Sequence, residues 1–158
     1  MNPAHWHLAL NHIPVLGTAF GMGLMGWALI RKSEELKTVS LAVFLIVALL
    51  TIPVYLTGEP AEHFIEDVPG VSEDAIHEHE DAATFAFAGI LAVGAVSLAG
   101  LTLFRRSKPI WITIAVFVLS VIVFAMMVRT ANLGGFIRHP EMRSDFHPEA
   151  ESVVPHSD

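Results

Sequence analysis

Four stretches without formal charge dominate the chain: Ile13 to Ile30, Val39 to Thr57, Ala82 to Phe104 and Pro109 to Val128. Each is close to the ~20 residues that a helix needs to cross the hydrocarbon core of a bilayer. None alternates polar with apolar residues as the strands of a membrane barrel must. A backbone in lipid has to satisfy its own hydrogen bonds, so helices remain. The pattern predicts helices over about 5–31, 38–57, 73–105 and 109–132, forming one transmembrane domain over 1–140. The acidic, Pro-containing remainder, 141–158, reads as a flexible tail. The expected fold class is all-α, an integral membrane four-helix bundle.

Charge then orients the bundle. The segment joining the first two spans reads RKSEELK and that joining the last two reads RRSK, so six of the nine basic residues sit in two short loops. Positive-inside bias assigns both loops to the cytoplasm. The middle connection, GEPAEHFIEDVPGVSEDAIHEHED, has neither Lys nor Arg, which sends it and both termini to the outer, periplasmic side. All nine histidines then lie on that side: His5, His7, His12, His63, His77, His79, His139, His147 and His156. The expected location is the bacterial inner membrane, multi-pass, with the first helix retained, since no basic segment and cleavage site mark it as a signal peptide.

Composition narrows the chemistry. A 158-residue chain that is 53% hydrophobic is not an ordinary water-soluble domain. Without cysteine it has no disulfide, no thiolate-held iron–sulfur cluster and no covalent c-type haem. A net charge of −7 with no basic patch outside the two short loops argues against nucleic acid. Ser72 and Ser97 have no base at helical spacing, so no hydrolytic nucleophile stands out.

The polar groups of the outer side fall at the ends of all four spans, where helical bundles build cofactor sites. Ser72 followed by Glu73 and Asp74 forms an N-cap signal that starts the third helix before the membrane. One stripe of that helix collects His77, Asp81, Thr84, Ala88, Ala92, Ala95 and Ala99; small residues mark packed faces, so this stripe is expected to point His77 and Asp81 inward. His79 lies about 200° further round, so only one of the two histidines is expected to be a direct ligand. The first helix offers two stripes, His5, His12, Leu16, Ala19, Gly23 and Gly26 or His7, Asn11, Thr18 and Gly21, and either is able to face inward. Pro14 leaves the register of His5 and His7 open and makes His12 the preferred ligand of the three. After the second span, Gly58 and Pro60 stop the helix, and Glu59 and His63 come together only if Pro60 opens a new turn. The last span runs into RTANLGGFIRHPE, with Arg129 at the membrane edge, a bend at Gly134 and Gly135, and then Arg138 and His139.

Three short motifs are similar to those of DUF2231, a bacterial integral membrane family of unknown function sometimes fused to Rieske domains. HLALNHIPV resembles its opening motif, carried here by His7 and His12, with Leu8 in place of a proline and Ile13 in place of a phenylalanine. HEDAA resembles its third-helix motif, which carries over to His79, and GGFIRHP its late glycine-histidine segment, carried by Gly134, Gly135 and His139. The resemblance implies electron transfer near the outer face, with a respiratory-chain or Rieske-type redox partner, and no established substrate.

Three functions compete. The first is a membrane electron carrier binding b-type haem through axial histidines, His12 with His77 or His79, with Arg129 and Arg138 on the propionates. His7 and His139 complete that candidate set. The second is a non-haem site for iron, copper or zinc drawn from His12, Glu59, His63, His77, His79, Asp81 and His139, with Glu62 and Glu80 as further carboxylates. The third is a cofactor-free structural or assembly subunit of a respiratory complex, in which the histidine and acid groups dock a partner. Beyond the lipid bilayer, assembly into an oligomer or larger complex is compatible with each. Trp6 and Tyr55 fit the ordinary interfacial aromatic belt or a quinone pocket.

Overall fold

The computed structural model describes residues 3–65, 68, 71–104 and 107–139. The tail, with His147 and His156, lies outside the described residues, as does the side chain of Arg138. Six helices follow one another: α1 (Pro3–Leu10), α2 (His12–Arg31), α3 (Glu34–Leu56), α4 (Gly58–Ile65), α5 (Glu73–Leu103) and α6 (Ile110–Arg138). Four helical stretches, Pro3–Arg31, Glu34–Ile65, Glu73–Leu103 and Ile110–Ile137, are long and apolar enough to cross a membrane.

The helix boundaries have local causes. Pro14 has no N–H and its ring crowds the carbonyl of residue 10; the regular helix is interrupted at Asn11, whose N–H still reaches the His7 carbonyl at 2.9 Å. Lys32 ends α2 in a left-handed conformation, φ 52°, turning its N–H back onto the carbonyls of Ala28 and Leu29. Ser33 and Ser72 cap α3 and α5, their hydroxyls accepting from the N–H groups of Leu36 and Ala75. Glu34 joins the two short loops: one carboxylate oxygen accepts from Lys37 Nζ at 2.6 Å and the other from the backbone N–H of Lys108 at 2.8 Å. This clasp holds the start of α3 beside the start of α6.

The four long helices form a ring in which α2 packs on α3 and α6, and α5 packs on α3 and α6. The core between them is built on Met25, Leu41, Phe44, Ile90, Val93, Val116 and Val123. Small residues let the backbones close up. A Cβ on Gly94 would lie 2.5 Å from that of Ala48, and one on Gly21 would lie 2.8 Å from the Phe44 ring. The buried hydroxyls stay within the bundle: Thr18 donates to the Met127 sulfur on α6, and Ser40 to the Gly21 carbonyl on α2. The outside is the reverse, with Leu16, Phe20, Ile30, Leu103 and Trp111 all more than half exposed. A surface this apolar suits lipid rather than water.

Two expectations are corrected and one open choice is decided. The stripe of His77, Asp81, Thr84, Ala88, Ala92 and Ala95 is exposed, and α5 instead buries Ile76, Ala82, Ala86, Ile90, Val93, Gly94, Ser97 and Gly100. Both faces of this helix carry small residues, so residue size alone could not choose between them. On α2 the inward stripe is Thr18 and Gly21, continuing to Met25 and Ala28. Gly134 and Gly135 make no bend: α6 is helical through both, and on to Arg138.

Gly94→Val places branched carbons against Ala48 and is expected to destabilise the bundle by about 1–3 kcal/mol. Ile46→Val, on the exposed outer face, is expected to change stability little. Thermal unfolding in detergent micelles measures both, and equal effects would contradict the packing described.

Candidate functional site

The short helices α1 and α4 pack on one another at one end of the ring. The first turns of α5 and the last turns of α6 reach the same end, because both helices run past the apolar stretches that the sequence marks. Two histidines turn inward there. They are His7 of α1 and His79 of α5, both half-buried, with ring centroids 6.5 Å apart and planes at 88°.

Each ring is held by its Nδ1. The His7 Nδ1 lies 3.0 Å from the hydroxyl oxygen of Thr57, the residue that ends α3. That hydroxyl spends its one proton on the Val54 carbonyl at 2.6 Å, so toward His7 it accepts. The His79 Nδ1 lies 2.9 Å from the backbone carbonyl of Thr130, which has no proton to give. Both contacts therefore require an Nδ1–H donor, and each neutral imidazole is left with its lone pair on Nε2. A ring N–H donated to a carbonyl or similar acceptor is the arrangement that fixes and strengthens metal-binding histidines.

Two glycines shape the seat. A Cβ on Gly134 would lie 3.1 Å from Cε1 and 3.3 Å from Nδ1 of His79, so the ring rests directly on the backbone of α6. A Cβ on Gly58 would lie 3.8 Å from Cε1 of His7, an ordinary contact. The separation of the rings carries chemical information. With metal–nitrogen bonds of about 2.1 Å, two imidazoles on opposite sides of one ion have ring centres about 6.3 Å apart, and two at a tetrahedral angle about 5.2 Å. The observed 6.5 Å is close in length to the first of these values, with the two rings edge to face.

The remaining candidates are dispersed. His12 is exposed, its Nδ1 3.2 Å from the Leu8 carbonyl of its own segment. His77 points outward, with its Nδ1 3.6 Å from a Glu80 carboxylate oxygen. His77, Glu80 and Glu62 each offer a ligand atom, all within 4.8 Å of one another, on the outer side of α4 and α5. Pro60 lies inside α4, so Glu59 and His63 are one turn apart on an exposed face. Asp81, Arg129 and His139 are exposed, and the His139 N–H closes α6 on the Gly135 carbonyl at 2.9 Å. Tyr55 stacks on Phe87 with centroids 4.2 Å apart and shares a 2.9 Å hydrogen bond with Thr84, which links α3 to α5 below the histidines.

Sequence reasoning did not single out Thr57 or the Thr130 carbonyl, and it gave Gly134 the role of a bend. A backbone acceptor has no residue signature, and a threonine at the end of an apolar run looks like a cap.

Comparison of the chain with protein-family models, with curated proteins and with solved structures finds no match.

Gly134→Val drives a side chain into the space of the His79 ring and is expected to break its bond to the Thr130 carbonyl while leaving the helices in place. Histidine 15N resonances should then show His79 losing its single tautomer and His7 keeping its own. An unchanged His79 signal would mean that Gly134 does not seat the ring.

Proposed function

We propose that this chain is a membrane-embedded electron-transfer protein that binds b-type haem through His7 and His79. The observation that supports this reading most directly is the pair of half-buried imidazoles, 6.5 Å between ring centres, each with its Nδ1 within hydrogen-bond distance of an oxygen acceptor, which leaves Nε2 of the neutral ring as the ligand atom. Two imidazoles would suffice to hold a haem iron, whose other four ligands come from the porphyrin, whereas zinc takes fuller sets of protein ligands. The group, when bound, supplies a one-electron iron couple. The chain's own residues do the rest. Thr57 and the Thr130 carbonyl hold both rings in one tautomer, Gly134 lets α6 approach His79, and the half-burial of both rings limits water at the site. Arg129 and Arg138, at the end of α6, are the cations nearest in sequence to offer to propionates. His12, first choice on sequence grounds, gives way to His7 as the ligand from the N-terminal span.

In this reading the protein lies in a bacterial inner membrane with both termini and the histidine site on the periplasmic side, as the Arg and Lys of the two short loops imply. Its partner is a respiratory-chain or Rieske-type redox protein, in keeping with the DUF2231-like motifs. A second reading has its own support: Glu62, His77 and Glu80 form a mixed carboxylate and imidazole group able to take zinc, iron or copper.

The detergent-purified protein should give sharp b-type bands in a dithionite-reduced minus oxidised spectrum. His7→Ala and His79→Ala should each remove them, while His12→Ala and His77→Ala should leave them. A colourless protein carrying stoichiometric metal that is lost in Glu62→Gln supports the second reading instead. A colourless, metal-free protein leaves the assembly subunit.

Topology is tested separately, since the chain has no cysteine. Ser107→Cys is expected to react with a membrane-impermeant maleimide only after the cells are opened, and Glu78→Cys in intact spheroplasts. The opposite pattern inverts the assignment.

A further inference from the structure

The two anchored histidines are matched in more than their chemistry. His7 is bonded to Thr57, 50 residues later, and His79 to Thr130, 51 residues later. In each case the histidine stands at the start of one long helical stretch and the threonine near the end of the next. Around them the chain repeats itself. His5-x-His7 answers His77-x-His79, and ten residues on from the inner histidine come Gly17 and Gly89. A Cβ on Gly17 would lie 2.5 Å from Val47 and one on Gly89 would lie 2.7 Å from Val123, so each glycine sits against the second helix of its own hairpin. The sequence after the first apolar stretch of each half reads Arg31-Lys32-Ser33 and Arg105-Arg106-Ser107. Beyond the threonines, Gly58 and Gly134 each precede a histidine by five positions, His63 and His139, and each glycine lies beside its own half's inward imidazole.

The order of the helices round the ring has the same symmetry, although the α3–α5 contact is more extensive than that of α2 with α6. Exchanging the pair α2 and α3 for the pair α5 and α6 leaves the neighbour relations of the ring unchanged, since α2 and α5 each touch both α3 and α6. The alternating path of the chain also brings both hairpins into the ring in the same direction. Corresponding parts are then related by a half-turn about a line running along the bundle, as in parallel repeats of membrane proteins. Two equivalent side chains 6.5 Å apart must flank that line.

We propose that the chain is a tandem duplication of one helical hairpin, and that its site is a single metal centre on the pseudo-two-fold axis to which each half contributes one equivalent imidazole. The inference deepens the proposed function and rests on its ligand pair, and it specifies one shared centre per chain rather than one per hairpin. The outer histidines of the two repeats, His5 and His77, are also equivalent in sequence, yet both are exposed. They belong to the repeat without belonging to the site. Where the halves differ, the site is asymmetric: His7 leans on a hydroxyl that a substitution removes, and His79 on a main-chain carbonyl that none does.

The test uses the full chain in two states. In cofactor-free protein labelled with 15N-histidine, both His7 and His79 are expected as neutral Nδ1–H tautomers, and Thr57→Val is expected to release His7 alone. This measurement does not depend on haem. An Nε2–H tautomer at either ring, or a Thr57→Val effect on both rings equally, overturns the proposal. In protein as purified, metal content is expected at one centre per chain, with His7→Ala and His79→Ala reducing it to the same extent, five-fold or more, and His5→Ala and His77→Ala leaving it within error. Two centres per chain, a centre that survives loss of one inner histidine, or no centre in the unaltered chain overturns the shared site; in that last case matched tautomers would still uphold the duplication while the redox reading fails.

Discussion

A hydrogen bond from an imidazole Nδ1–H to an acceptor at the far end of a neighbouring helix is the constraint on which this end of the molecule depends. Polar groups at a membrane helix terminus have few partners, and an unsatisfied one is costly where water is scarce. Thr57 closes α3 and passes its proton to Val54, which leaves its oxygen able only to accept. Thr130 presents a carbonyl with two lone pairs, so it is able to serve a side chain in addition to its own helix. Each helix end thus receives a donor, and each histidine is fixed in one tautomer by the same bond. The stability of the helix ends and the chemistry of the rings have one cause.

The rest of the bundle serves that geometry at a distance. The ring of four helices is drawn tight by glycine and alanine, and the buried hydroxyls of Thr18 and Ser40 are spent between helices rather than on solvent. At the opposite end, Glu34 ties the loop before α3 to the residue before Pro109 and so holds the two hairpins in relative register. The short helices α1 and α4 lie across the histidine end. They are too short to cross a membrane themselves, and they continue α2 and α3 beyond their apolar stretches.

The histidine-rich end contains two separate groups of side chains. The inner pair is half-buried, one ring held by the Thr57 hydroxyl and the other by the Thr130 carbonyl. The outer group of Glu62, His77 and Glu80 is on the surface of α4 and α5, where carboxylates this close repel unless a proton or a cation lies among them. Alternation along α5 separates the two: His77 and His79, two residues apart on a helix, cannot face the same way.

The four apolar helical stretches, the capping of α5 by Ser72 and the gathering of histidines in the segments flanking them were legible in the sequence, because hydropathy and capping are local properties. The repeat of H-x-H, glycine, threonine and G-x4-H was equally present, and it is the one sequence signal that ties Thr57 and Thr130 to the histidines. What the chain alone did not decide was which face of each helix turns inward. On α5 small residues line both faces, and Pro14 leaves two registers open for the helix carrying His5, His7 and His12. Packing against α3 and α6 turned His79 inward rather than His77, and contact of α1 with the end of α3 and with α4 turned His7 inward, each ring meeting an oxygen acceptor there. Rotation about a helix axis is a collective, tertiary choice, and a one-dimensional pattern with two comparable stripes does not contain it.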